Sequence, residues 1–205
     1  MNQLFLFDVD STLINEEVIE LIAAHADVQQ EVKAITDLAM AGEIDFAESL
    51  TRRVALLKDL PESVLIGVQE DISLTNGAKE LVQQLFNDGD TVAVVSGGFL
   101  EVISPLMQSL SIANYRANRF EIANGKLTGK VLGKIVDRAA KAEYLHELKA
   151  SLKPARVIAI GDGANDIEMI KAADIGIAFC AKDALRREAD FVIENRDLRE
   201  VLQAL

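Results

Sequence analysis

The chain has 205 residues, half of them hydrophobic, which is enough to bury one sizeable core with a smaller appended unit. Lys and Arg number 21 against 33 Asp and Glu, a net charge of −12 that argues against nucleic acid or an anionic membrane as partner. The single Cys180 rules out an internal disulfide, and there is neither a basic-then-apolar leader nor a run of about 18 apolar residues, so a cytoplasmic protein with no membrane span is expected.

Four short runs rich in Val, Ile and Phe lack strict alternation and read as parallel strands buried on both faces: Leu4 to Val9, Thr91 to Val95, Arg156 to Ile160 and Ile175 to Phe179. Each leads through small or acidic residues into a helical period, and Phe191 to Ile193 adds a last strand. The order predicts an α/β fold, a Rossmann-like doubly wound parallel sheet whose ligands sit beyond the carboxyl ends of the strands. Between the first two strands, apolar residues recur at helical spacing (Val32, Ile35, Leu38, Ala39; Phe46, Leu50, Val54, Leu57), so 15–72 reads as an inserted helical cap on a core of 1–14 and 73–205. Pro61 suits the start of its last helix, and Thr75-Asn76-Gly77 turns the chain back into the core. Asn124-Gly125, centred in Phe120 to Val136, predicts a small β-hairpin flap.

The segments after the strands carry the chemistry. The first strand ends in Asp8-Val9-Asp10-Ser11-Thr12, where a period of two would put both carboxylates on one side, able to hold a metal or to divide nucleophile and acid roles; a capping turn is the plainer alternative. Ser96-Gly97-Gly98 offers a hydroxyl and unhindered amides as a phosphate cradle at a helix start. Gly161-Asp162-Gly163-Ala164-Asn165-Asp166 places two more acids four apart, which could complete an oxygen-only Mg2+ site, although Asp166 also suits a helix N-terminus. Lys141 opens a helical segment and by composition alone would be surface. His25 and His146 read as surface or helix-end residues, Cys180 as a small core residue, and Met40 and Phe46 as core residues flanking the Gly42-Glu43 turn that a cap could use to cover a ligand.

Taken in order, DVDST, SGG, a helix-borne lysine and GDGAND are far more specific than any one of them. With Arg52-Arg53-Val54, Gly125-Lys126-Leu127-Thr128-Gly129, Ala178-Phe179-Cys180-Ala181-Lys182 and Arg196-Asp197-Leu198-Arg199, they make the chain resemble the phosphoserine phosphatases of the haloacid dehalogenase superfamily over nearly its whole length. Val9 departs from the aromatic or Met usual there, and no amino-terminal regulatory domain is expected. The resemblance implies hydrolysis of O-phospho-L-serine, the last step of serine biosynthesis, through an aspartyl-phosphate. It makes Asp8 the nucleophile, Asp10 the general acid and base, and Lys141 a counter-charge for Asp8 and phosphate. It has Mg2+ held by Asp8, the Asp10 carbonyl and Asp162, with Asp166 behind them orienting a water or Lys141. Ser96, Gly97 and Asn165 would take phosphoryl oxygens, Glu17 the substrate ammonium and Arg53 its carboxylate.

The arginine has an independent check. At about 100° per residue, Phe46, Leu50, Val54 and Leu57 point within roughly 40° of one direction, Arg53 about 60° aside and Arg52 on the far face. The same exercise does not separate Glu17 from Glu16. The expected partner is therefore a small molecule, with no nucleic acid and no membrane, acting on a monomer or homodimer. Alternatives are a phosphatase for phosphothreonine or phosphohomoserine, a phosphotransferase to an alcohol, a relative that only binds phosphorylated ligands, and a phospho-acceptor signalling module. The acceptor Asp of that last class follows a later strand in a shorter chain.

Overall fold

Every residue of Leu4 to Phe7 is completely buried, as a central strand covered on both faces requires. In the computed structural model, which describes residues 2–40 and 43–205, this strand, β1 (Gln3–Phe7), pairs in parallel with β2 (Thr91–Phe99) on one side and β6 (Arg156–Gly161) on the other. Outward from these lie β3 (Asn114–Asn118) beside β2, then β7 (Ile175–Phe179) and β8 (Phe191–Ile193) beyond β6, giving the six-strand order β3-β2-β1-β6-β7-β8. The strand order reverses at β1, so the carboxyl ends of β1, β2 and β6 open onto one crevice.

Alternation along the strands divides the interior. Phe5, Phe7, Val94, Ile160 and Ile177 face one core, which continues without a break into the helices α1 (Val18–His25), α3 (Phe46–Ala55) and α4 (Val64–Glu70) through Ile22, Leu50, Val54 and Val68. Leu4, Leu6, Ala93, Val95 and Ala159 face a second core with smaller residues, closed by Tyr144, Leu145 and Leu148 of α7 (Arg138–Leu152) and Met169 of α8 (Ile167–Ala172). The remaining helices are α2 (Gln29–Met40), α5 (Ala78–Asn87), α6 (Leu100–Ser109) and α9 (Asp183–Arg186).

The four helices α1 to α4 lie between β1 and α5, and the two chain segments that join them to the sheet run side by side. Asn15 N–H donates to the Ser73 carbonyl (3.0 Å), Thr75 N–H to the Leu13 carbonyl (3.0 Å), and Ile14 bridges Leu74. Ala78 N–H closes the expected return turn on the Thr75 carbonyl at 3.0 Å.

Several local expectations are corrected. The first strand ends at Phe7, because the Asp8 carboxylate accepts from Val9 N–H (2.7 Å) and turns the chain into the loop Val9–Leu13, in which Ser11 adopts φ +56°. Asp8 and Asp10 therefore do not share a strand face by a period of two. The second strand runs through Phe99, so Ser96-Gly97-Gly98 lies within it, before α6 begins. Pro61 precedes α4 by three residues and bridges Lys126. The hairpin of β4 (Phe120–Ala123) and β5 (Lys126–Val131) turns at Asn124 (φ +51°) and Gly125 (φ +73°) and is bonded to the insertion, with Asp59 N–H on the Leu127 carbonyl and Leu127 N–H on the Leu60 carbonyl, both 2.9 Å. Cys180 is half-buried just past β7. The Met40 side chain and Gly42 lie outside the described residues.

β3 has no counterpart among the apolar runs, because an edge strand of sequence NYRAN needs little apolar character. Its last residue, buried Asn118, donates to the Gly97 carbonyl (2.8 Å) and accepts from Val136 N–H (2.7 Å), joining β2 to the loop before α7. Asn118→Ala would leave the buried Val136 N–H and the half-buried Gly97 carbonyl without this partner, so urea unfolding should show a loss of about 1 to 3 kcal/mol.

Candidate active site

The crevice is a cleft of about 1280 Å3 between the sheet edge and the insertion, lined by Asp8, Asp10, Glu17, Arg53, Gly97, Asp162 and Asn165 among others. At its floor the fully buried Lys141 ammonium, on the first turn of α7, lies 2.8 Å from Asp8 Oδ1 and 2.6 Å from Asp166 Oδ1. Asp137 caps that helix, accepting from Ala140 N–H at 2.9 Å, and so fixes where the lysine emerges. Burial alone would lower the Lys141 pKa, but the carboxylates of Asp166 and Asp8 outweigh it and hold the ammonium charged.

Asp166 is saturated from both sides. Its Oδ2 accepts from Asp162 N–H (3.2 Å) and Gly163 N–H (3.1 Å) while Oδ1 takes Lys141. This is possible because position 161 is glycine, since a Cβ there would stand 2.5 Å from Asp166 Oδ2. Asp8 uses only Oδ1, for Val9 N–H and Lys141, and among the described residues Oδ2 has no partner. Burial first, then the Asp166 charge, pushes the Asp8 carboxyl up to about 7 against the opposing effect of Lys141. Asp162 rises to about 8 through burial and the charges of Asp8 and Asp166.

One oxygen from each of Asp8, Asp162 and Asp166 lies within 4.8 Å of the others, an all-carboxylate set suited to a hard divalent cation. Asp10 is not in this cluster. Its carboxylate turns toward β2, where a Cβ on Gly98 would be 3.0 Å from both Asp10 Oδ2 and Ser96 Oγ, and its buried Oδ1 has no partner among the described residues. Burial, then Glu17 and Asp8, raise its pKa well above the ordinary carboxylate range.

The phosphate-loop candidates separate. Gly97 and Gly98 line the cleft, whereas Ser96 is fully buried behind them with Oγ accepting from Gly98 N–H at 2.7 Å. Phe46 leans across from α3 so closely that a Cβ on Gly97 would meet its ring at 2.7 Å.

On the insertion side, Arg53 is buried and lines the cleft while Arg52 is exposed, as the helical spacing predicts. Its Nε donates to the Ser49 carbonyl at 3.3 Å. Burial lowers its pKa, against the attraction of Glu17 and Asp10. Glu17 and Glu16 are now distinguished: Glu17 lines the cleft and accepts from Ser11 Oγ (2.7 Å), whereas Glu16 accepts from Ser73 N–H (3.0 Å) and its hydroxyl (2.5 Å) at the linker. Burial raises the Glu17 pKa, and the Ser11 bond partly offsets it.

Ser11, Asn118 and Gly161 are supports that sequence reasoning did not single out. A signal existed for Ser11, which stands inside the DVDST motif. Among the described residues, no helix is long and apolar enough to cross a membrane.

The chain belongs to the haloacid dehalogenase-like hydrolase family, whose match spans residues 5–171. Within that family its similarity lies with phosphoserine phosphatases. It is 47% identical to the phosphoserine phosphatase of Streptococcus thermophilus, over 98% of this chain and 95% of that one. It is 46% identical to that of Methanocaldococcus jannaschii, over 98% and 96%. Among solved structures, a phospho-aspartyl intermediate analogue of phosphoserine phosphatase superposes with TM-score 0.94 at 45% identity, covering 100% of this chain and 99% of that one. A substrate-bound phosphoserine phosphatase gives 0.95 at 44% identity over the same shares.

Gly161→Ala should displace the Asp166 carboxylate from its two amides and from Lys141. A misplacement on this scale should cost roughly 100-fold in kcat, with the circular dichroism spectrum retained.

Proposed function

We propose that the protein hydrolyses O-phosphoserine to serine and phosphate through an aspartyl-phosphate on Asp8. The observation that carries this reading is the asymmetry of the Asp8 carboxylate: Oδ1 is held by Lys141 and Val9 N–H, while Oδ2 is unpartnered on the cleft. A carboxylate so fixed presents one oxygen for in-line attack. The likeness to an aspartyl-phosphate analogue and to a substrate-bound phosphoserine phosphatase supports the same chemistry.

Asp8 Oδ2 forms the new P–O bond as the bond from phosphorus to the serine oxygen breaks, and Asp10 gives that oxygen its proton. Burial and the charges of Glu17 and Asp8 raise the Asp10 pKa, the direction that favours a proton donor. The resulting Asp10 carboxylate then takes a proton from water as the water attacks phosphorus, releasing phosphate and regenerating Asp8. Lys141, immobilised by Asp166, offsets the charge that collects on Asp8 and the phosphoryl oxygens. The Gly97 amide and Asn165 receive phosphoryl oxygens in this scheme, while Ser96, buried behind Gly97 and Gly98, holds Gly98 N–H instead of facing the cleft. Asp8, Asp162 and the Asp10 carbonyl are the proposed ligands of Mg2+, with Asp166 behind them. When bound, the ion supplies charge neutralisation for the phosphate.

Residues 15–72 act as a cap that reads the amino acid, Glu17 taking the ammonium and Arg53 the carboxylate. The opposite charges of these two residues, both on the insertion side of the cleft, support that division.

The direct test is phosphate release from a panel of phosphorylated amino acids and sugars with Mg2+. Phosphoserine should be preferred over phosphothreonine and over sugar phosphates, and a preference elsewhere would reassign the substrate. Asp8→Asn cannot form the acyl-phosphate and should lose about ten-thousandfold or more in kcat without unfolding. Activity should vanish with a chelator and return with Mg2+ but not with Ca2+, whose larger and more variable coordination misplaces the attacking carboxylate. Full turnover in excess chelator would overturn the metal assignment.

A further inference from the structure

The cleft is a hostile place for the substrate just proposed. A phosphomonoester dianion has to enter between Glu20, Asp37, Asp45, Asp137, Glu143 and Glu168, on a chain whose net charge is −12. Most cations on the cleft wall are already engaged. Lys33 pairs with Asp37 (3.8 Å) and Arg138 with Glu168 (2.5 Å), and Lys141, buried beneath the wall, is held by Asp8 and Asp166. Arg53 is buried on the insertion side with its Nε tied to the Ser49 carbonyl.

Lys182 is different. It lines the same cleft, is exposed, and has no carboxylate within ion-pair distance among the described residues. Its backbone is anchored, since Lys182 N–H donates to the Asp162 carbonyl at 2.9 Å and its own carbonyl accepts from Leu185 N–H (3.0 Å) and Arg186 N–H (3.1 Å) at the start of α9. A rigid base directly beside the Asp162 loop thus carries a long, flexible stem with a free ammonium at its tip.

We propose that Lys182 is the substrate-capture residue: its ammonium attracts the incoming phosphate dianion at the core-side rim and draws it toward Asp8 and Lys141. The inference rests on the phosphomonoester reading above. Lys182 takes no part in bond making, so its contribution lies in the encounter and in KM. A unit charge acting on a phosphate dianion several ångströms away through water corresponds to about a fivefold to tenfold change in local substrate concentration. Because the group is exposed, salt screens the effect, and at about 1 M ionic strength the screening length is only about 3 Å.

The test compares K182Q, K182E and K182R with wild type, using phosphoserine hydrolysis with Mg2+ from low to about 1 M salt. K79Q, on the exposed face of α5 away from the cleft, removes the same charge from the molecule as a whole. K182Q should lower kcat/KM about fivefold to tenfold at low salt with kcat within about twofold, and the deficit should close as salt rises. K182E should lose more, K182R should match wild type, and K79Q should follow the wild-type salt curve. Four results would overturn the proposal: an unchanged K182Q, a K182Q deficit that persists at high salt, one that falls on kcat, or an equal effect of K79Q. A wild type inactive on every phosphomonoester would instead remove the reading underneath, a failure visible before any Lys182 variant is compared.

Discussion

The ion triad of Lys141 with Asp8 and Asp166 is the constraint around which the site is arranged. Its three groups are almost completely shielded from water. Each would be costly to bury alone, because the desolvation of one charged group amounts to several kcal/mol even after relaxation. Together they are tolerable only if every remaining polar position is met. Asp166 meets this through two loop amides, and Asp8 meets it at Oδ1 through Val9 N–H but leaves Oδ2 open toward the cleft. The glycine at 161 and the helix cap at Asp137 follow from the same demand, one making room for a carboxylate and the other setting the direction of an ammonium.

Parallel strands explain why residues so far apart in the chain can satisfy that demand. Asp8, Gly97 and Asp162 each stand at the carboxyl end of a strand or just past it, and β1 lies between β2 and β6 in register, Phe7 beside both Val94 and Ile160. The spacing of neighbouring strands then sets the spacing of their functional groups, about 4.8 Å apart. Rigidity comes from below, where two cores grip opposite faces of the sheet. The cleft is covered from above by helices that share the larger of those cores.

The sequence displays the sheet because buried parallel strands must be apolar, and it displays the hairpin because Asn-Gly favours the left-handed turn. It hides β3, whose polar residues lie on an edge. Arg53 could be told from Arg52 because both sit within α3, where the 100° step holds. Glu17 could not be told from Glu16 by that step. Glu17 is the residue before α1, with extended backbone (φ −97°, ψ 110°), and helical periodicity has no meaning there. Asp8 and Asp10 raise the opposite problem: a strand period was expected where the chain had already turned. The open position of Lys182 and the double bridge of Asn118 depend on partners more than fifteen residues away, and no local pattern encodes them.

The paired linkers at Leu13–Asn15 and Ser73–Thr75 have a further consequence. A segment that leaves and rejoins the sheet through two adjacent, hydrogen-bonded stretches can vary in length without altering the strand order beneath it, although this one also packs on the larger core and bonds the β4–β5 hairpin. Another segment grafted between the same two linkers would leave Asp8, Lys141 and the acidic loop in place. Evolution can in this way exchange the segment that covers the cleft while leaving the groups at the strand ends alone, and a protein engineer has the same seam at which to cut.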